Sequence, residues 1–182
     1  MAGIMKKDTL DITLDNIRDL ELDKIKSNFN DMSTEDIAIS IVHQCNFNDP
    51  DIVFWLIERA PMEALTFSHN IAFINCVEYN RLDFIKAFVA RGAMPQGDEL
   101  ISAVGEVCTK YHQDMAVYFI ETLDVDVNLD PVILQPYLLA KGLSPMEYLS
   151  SGPEKHRIAC LSILDKPIEK SAQEMMYNYI AN

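Results

Sequence analysis

The sequence predicts an all-α fold laid out as a row of paired helices, and three observations predict it. The first is helical spacing. In 79–94, YNRLDFIKAFVARGAM, the residues Leu82, Ile85, Phe88 and Val89 fall on one face, and Gly92 closes the helix through its ease in the left-handed conformation. The second is repetition. Upstream, 48–62 reads NDPDIVFWLIERAPM, where Asp51, Leu56, Ile57, Arg59 and Met62 answer Asp83, Phe88, Val89, Arg91 and Met94. Downstream, Asp114, Phe119 and Ile120 answer Asp83, Phe88 and Val89 in turn. The third is a cysteine ladder: Cys45, Cys76 and Cys108 keep the same step, each in the helix preceding a copy. A helix with one apolar stripe cannot bury it alone, so copies at a period in the low thirties imply pairs stacked side by side.

The same stretches resemble the ankyrin repeat. Asn80-Arg81 stands where that family has Gly-His, Gly92-Ala93 stands on its Gly-Ala, and Tyr111-His112 and Asn48-Asp49 are the equivalents in the flanking copies. The cysteine ladder falls where the family holds alanines. Ser144-Pro145-Met146-Glu147 resembles the family's Thr-Pro-Leu-His opening, and Asp124 to Asn128 resembles its Ala-Asp-Val-Asn tail. The opening falls elsewhere on 39–42, 71–74 and 102–105, where the chain departs from it. The resemblance implies an ankyrin-like helical solenoid of about four helix pairs with N- and C-terminal capping helices. Over 1–182 it divides into a cap (1–32), three repeats (33–129), an inserted helical segment (130–143), and a last repeat with its cap (144–182).

Each element has its own justification. Over 10–29, Leu14, Ile17, Leu22, Ile25 and Phe29 form an apolar face with Asp11, Asp15 and Asp19 opposite. Such a helix serves as a polar end cap, or as an acidic strip imitating nucleic-acid phosphates. Ser33 and Asp36 form a capping box for a helix over 34–44. Asp49-Pro50 starts the next, with Ile52, Val53, Leu56 and Ile57 inward and Phe54 either under the N-terminal cap or an exposed anchor. Ser68 caps a helix over 68–79, and Asp98 caps one over 99–110. Asp124 to Asp130 opens like a calcium loop, but Leu129 and Gln135 occupy the glycine and bidentate-glutamate positions, which excludes one. The stretch from Leu123 to Ser144 is twice as long as the equivalent one from Gly92 to Ser102, so 130–143 reads as an insertion whose helix Pro136 disturbs. A helix over 154–164 turns Ile158, Leu161 and Leu164 inward. Pro167 opens a last helix whose Ile168, Ala172, Met175, Met176, Tyr179 and Ile180 share one side.

Composition bounds the function. Hydrophobic and charged fractions of 49% and 24% are those of a globular domain. A formal net charge of −13 argues against direct nucleic-acid contact and against an anionic membrane, and suits a basic protein partner. The opening MAGIMKKDTLDITL lacks the apolar core of a secretory signal, and four periodic cysteines without a CxxC read as free thiols in a reducing, cytoplasmic setting without zinc. No phosphate-cradling, dinucleotide, zincin or serine-hydrolase motif is present, and His43, His69, His112 and His156 lie in different segments. His43 and Cys45, two apart on a helix, diverge, while His112 at the Gly-His position would tie adjacent turns.

The expectation is therefore a non-enzymatic protein–protein interaction module with no catalytic, cofactor or metal residues. The alternative is an acidic, nucleic-acid-mimicking inhibitor. The resemblance places partner contacts on the concave face at Asn46 and Phe47, at Phe67, Ser68, Asn70, Glu78 and Tyr79, and at Asp98, Glu99, Thr109 and Lys110. The sequence leaves the oligomeric state open.

Overall fold

A computed structural model describes residues 22–47 and 50–164, and every regular element among them is helical. After a helical run over 22–28 come α1 (Thr34–Phe47), α2 (Pro50–Arg59), a single turn α3 (Met62–Leu65), α4 (Phe67–Glu78), α5 (Leu82–Ala90) and α6 (Gly97–Lys110). Then follow α7 (Gln113–Val117), which continues as a π turn over Tyr118–Thr122, α8 (Leu134–Lys141) behind a 3-10 turn at Pro131–Ile133, α9 (Pro145–Ser151) and α10 (Arg157–Leu164). The aspartate ridge and Leu14 and Ile17, the Asp49 cap, and the helix expected after Pro167 lie outside the described residues.

Local chemistry sets most boundaries. Asp36 N–H donates to Ser33 Oγ (3.1 Å) and Ser33 N–H to Asp36 Oδ2 (3.2 Å), closing the expected box at the head of α1. The Ser33 hydroxyl, which donates to Asp36 Oδ2 (2.6 Å), and then the Ser33 N–H hold the Asp36 carboxyl below its ordinary value. Ser144 and Glu147 close a second box on α9, and Asp130 accepts from Val132 N–H (3.0 Å) ahead of Pro131. Helix ends share one device. The N–H of Gly92 reaches Val89 and that of Ala93 reaches Phe88 (2.9 and 3.0 Å), with Gly92 at φ 77°. The same bond pair closes α4 at Asn80, α6 at Tyr111 and α8 at Gly142, all left-handed. Pro136 sits in the first turn of α8, where its missing N–H has no helical partner to lose, so it does not break the helix as expected.

Two expected caps are overturned. Ser68 makes no capping bond; Ser68, His69 and Asn70 form a left-handed turn with φ of 47, 59 and 58°. The turn sends the His69 ring to Glu99 of α6 (3.0 Å), a long-range tie in place of a local cap. Each non-glycine residue in that conformation costs roughly 1–2 kcal/mol. Ser68 is exposed, so Ser68→Gly is expected to raise stability by about 1 kcal/mol in urea unfolding; a loss would show that the hydroxyl is needed. Asp98 likewise does not cap α6, which starts one residue earlier behind Gln96. Its carboxylate instead lies in the first turn, where the helix dipole favours negative charge.

The helices α1, α4 and α6 lie side by side, α4 against both neighbours. Each is backed by its successor, α2 on α1, α5 on α4 and α7 on α6, and α2 also meets α5. Between the layers sit fully buried Ile41, Ile52, Leu56, Phe73, Phe84, Phe88, Met115 and Phe119. Side chains of one pair also tie to backbone carbonyls of the preceding pair. Arg91, at the end of α5, donates to the carbonyls of Ile57, Glu58 and Ala60 at the end of α2. His112 Nε2 donates to the carbonyl of Glu78 at the end of α4 (3.1 Å). Helix ends leave such carbonyls without partners, and a neighbour's side chain supplies them here.

Aromatic placement settles another expectation. Phe54 is 40% exposed, as the second of its two expected placements has it, and its ring meets Phe84 edge-on at 5.2 Å, in the seam between α2 and α5; among the described residues the N-terminal segment gives it no ring contact. Trp55, the next residue, takes the other placement by meeting Phe29 at 5.0 Å, because one residue turns a helical side chain by about 100°. At the far end, Ile158, Leu161 and Leu164 face outward, with Ile158 73% exposed, while Ala159, Cys160 and Ile163 are buried. The buried Tyr148 hydroxyl and His156 Nδ1 share a hydrogen bond (2.5 Å) just ahead of α10, whose phase lies one step away from the expected one. Burial holds the His156 ring below its ordinary value, in the neutral form that can accept this bond.

All four cysteines are buried thiols, and Cys45 and Cys76 touch across α1 and α4 (2.9 Å). Burial pushes the Cys108 thiol up to about 12, helped by the charge of Asp130, and burial also drives Cys76 well upward. The folded state therefore keeps protons that the unfolded chain releases above the ordinary value of 9.0. Stability is expected to be level up to about pH 9 and to fall as pH rises toward 12, read from urea midpoints at stepped pH. Midpoints that stay constant across that window would contradict it.

Candidate functional site

In the layer α4 and α6 are flanked on both sides and backed from behind, and α1 is flanked by α4 and backed by α2 and α3, so their exposed sides include a face turned away from the second layer. That face is not polar throughout. Ile39 on α1, Ile71 on α4 and Ile101 on α6 are exposed at 55, 40 and 42%, and Tyr79 at the end of α4 at 49%. The helical phase explains them. On α1 the buried set is Ile37, Ala38, Ile41, Gln44 and Cys45, which leaves Ile39 on the opposite side. On α4 the buried set Ala72, Phe73, Cys76 and Val77 does the same for Ile71. On α6, Ile101 stands at the edge of the buried arc of Ala103, Val104, Val107 and Cys108. Gly105, one turn on from Ile101, has open space where a side chain would stand.

Acidic groups border this apolar strip. Glu35 and Asp36 are exposed in the first turn of α1, and Asp98 in that of α6. Glu99 receives His69, and this bond holds its carboxyl below the ordinary value. At the other ends of the helices, Glu78 and Lys110 approach at 3.9 Å.

The residues expected from the sequence divide as follows. Glu78 and Lys110 come together across α4 and α6, as do the 68–70 turn and Glu99. Tyr79 and Asp98 lie exposed at helix ends, and Thr109 is exposed with its hydroxyl bonded to the Gly105 carbonyl (2.8 Å). Phe67 and Asn70 are half-buried, and Asn70 Oδ1 is buried without a protein partner. Asn46 and Phe47 end α1, and their side chains lie outside the described residues. The three isoleucines escaped the sequence reading. The signal for them is a surplus: in 37–42, IAISIV, there are more apolar residues than one buried stripe can take.

Two hollows lie among the described residues. One of about 340 Å³ is open and lined by Lys24, Ile25, Asn28, Met32 and Gln44. Another, beside Tyr148, His156 and Cys160, measures about 10 Å³, room for one water at most. Among the described residues no group of three or more His, Cys, Asp or Glu is placed to hold a metal ion, and no helix is long and apolar enough to cross a membrane. Comparison of the chain with protein-family models, with curated proteins and with solved structures gives no match.

Proposed function

We propose that the chain is a non-enzymatic binding module, an ankyrin-like row of four helix pairs that receives a basic protein partner on the exposed face of α1, α4 and α6. Helix spacing supports the row. The second helices α2, α5, α7 and α9 begin at Pro50, Leu82, Gln113 and Pro145, an almost constant step in the low thirties. The first helices begin at Thr34, Phe67, Gly97 and, counting the 3-10 turn before α8, Pro131. By spacing alone 130–143 takes the place of a fourth first helix, although α8 packs chiefly on α7, and α10 lies against α9, α8 and the 3-10 turn at Pro131–Ile133. Solenoids of this kind present one layer as an extended binding face.

The observation that carries the function is the isoleucine on each of three successive first helices, exposed where a self-contained fold gains nothing from it. Carboxylates beside the strip steer a cationic partner. An acidic mimic of nucleic-acid phosphates fits less well, since an apolar centre has no counterpart in a phosphate row. Photo-crosslinking tests the reading. A benzophenone side chain at Ile71 or Tyr79 is expected to give the same adduct in a lysate of the source cell, while one at exposed Ala90 on the backing helix α5 gives none. Adducts from position 90 alone would contradict it, and competition by DNA would favour the mimic.

A further inference from the structure

Resting on that binding-module reading, we infer that the occupant of the face is a basic amphipathic α-helix lying across α1, α4 and α6, with apolar side chains at every seventh position. The rungs set the spacing. Packed helices lie about 8–10 Å apart, so Ile39, Ile71 and Ile101 offer apolar ground at that interval. A helix rises about 1.5 Å per residue, so its positions i, i+7 and i+14 recur on one side every ~10.5 Å. Three rungs therefore match one face of a helix about four turns long.

Width favours a helix over a thinner extended segment. On α4 the exposed apolar side chains Ile71 and Tyr79 stand about 12 Å apart along the axis, with Asn75 between them. That equals the diameter of a helix with its side chains, about 10–12 Å. Beside Ile101 the bare backbone at Gly105 leaves a shallow dent with open space above it. Charge sets the flank. Glu35 precedes Ile39 and Asp98 precedes Ile101 by about one turn, to the same side of the strip. On a docked helix the residues next to each anchor, turned about 100° from it, reach over the flank toward those carboxylates, and lysine or arginine there completes the pairing.

The test uses three labelled synthetic peptides with equal numbers of leucine and lysine, titrated by fluorescence anisotropy against the full chain. One is a helix of about 22 residues with leucine at every seventh position, the second scrambles their order, and the third is a proline-rich extended segment with leucine at every third. The seven-spaced helix is expected to bind at least about tenfold more tightly than the other two, and to weaken steeply with added salt. Ile71→Asp is expected to weaken it about tenfold or more. Gly105→Gln, which fills only the dent, should weaken it severalfold in a chain whose circular dichroism and melting are intact. A scrambled or extended peptide binding as well as the seven-spaced one, or indifference to both substitutions, overturns the inference. If it fails while crosslinks still map to positions 71 and 79, the module reading survives without the helix; crosslinks from position 90 alone end both.

Discussion

Phe73→Ala is expected to cost about 3–5 kcal/mol. Phe73 is fully buried on α4, the middle helix of the first layer. Its ring meets Phe88 of α5 at 5.8 Å and 77°, and Phe119 of the next pair at 6.5 Å. The substitution removes the transfer energy of a phenyl ring and leaves a cavity lined by two other rings. Because α4 touches the helices on both sides, the void weakens two interfaces as well as one pair. Urea unfolding of wild type and variant measures the difference. A cost below about 1 kcal/mol would mean that the pairs do not lean on Phe73.

Arg91→Met is expected to cost about 2–4 kcal/mol, with Arg91→Lys falling between it and wild type. One guanidinium serves three carbonyls at the end of α2, those of Ile57, Glu58 and Ala60, the last at 2.9 Å. Methionine keeps much of the stem's packing but leaves partly buried acceptors without a donor, and each such loss costs about 1–3 kcal/mol. Lysine restores charge near the negative end of the α2 dipole without the fork that spans separate oxygens. Thermal melts of the three proteins give the ranking. Equal melting of Met and wild type would show that water serves those carbonyls.

Much of the helical layout was legible because its causes are local. The helical spacing of Leu82, Ile85, Phe88 and Val89, the box at Ser33, the Ser144-Pro145 start, and the closing glycines Gly92 and Gly142 act over short stretches of chain. What the sequence hid depends on contacts made far along the chain. Ser68 has the chemistry of a cap, yet the tie from His69 to the distant Glu99 accompanies a left-handed turn instead. Ile158 has the spacing of a core residue, yet it faces outward, next to the bond between His156 and Tyr148. The binding face was hidden for the same reason. Whether Ile39 or Ile41 is covered depends on which side of α1 receives α2 and α4, and an apolar count cannot tell them apart.

The most direct measurement on the central claim is the urea stability of the triple variant Ile39→Gln, Ile71→Gln, Ile101→Gln. Glutamine is a good helix former and removes the apolar strip without touching the layers beneath it. If the strip exists for a partner, the variant unfolds within about 1 kcal/mol of wild type, or above it, because the fold never used those side chains. A loss of several kcal/mol would show the isoleucines packed as part of the core and leave the face without its purpose.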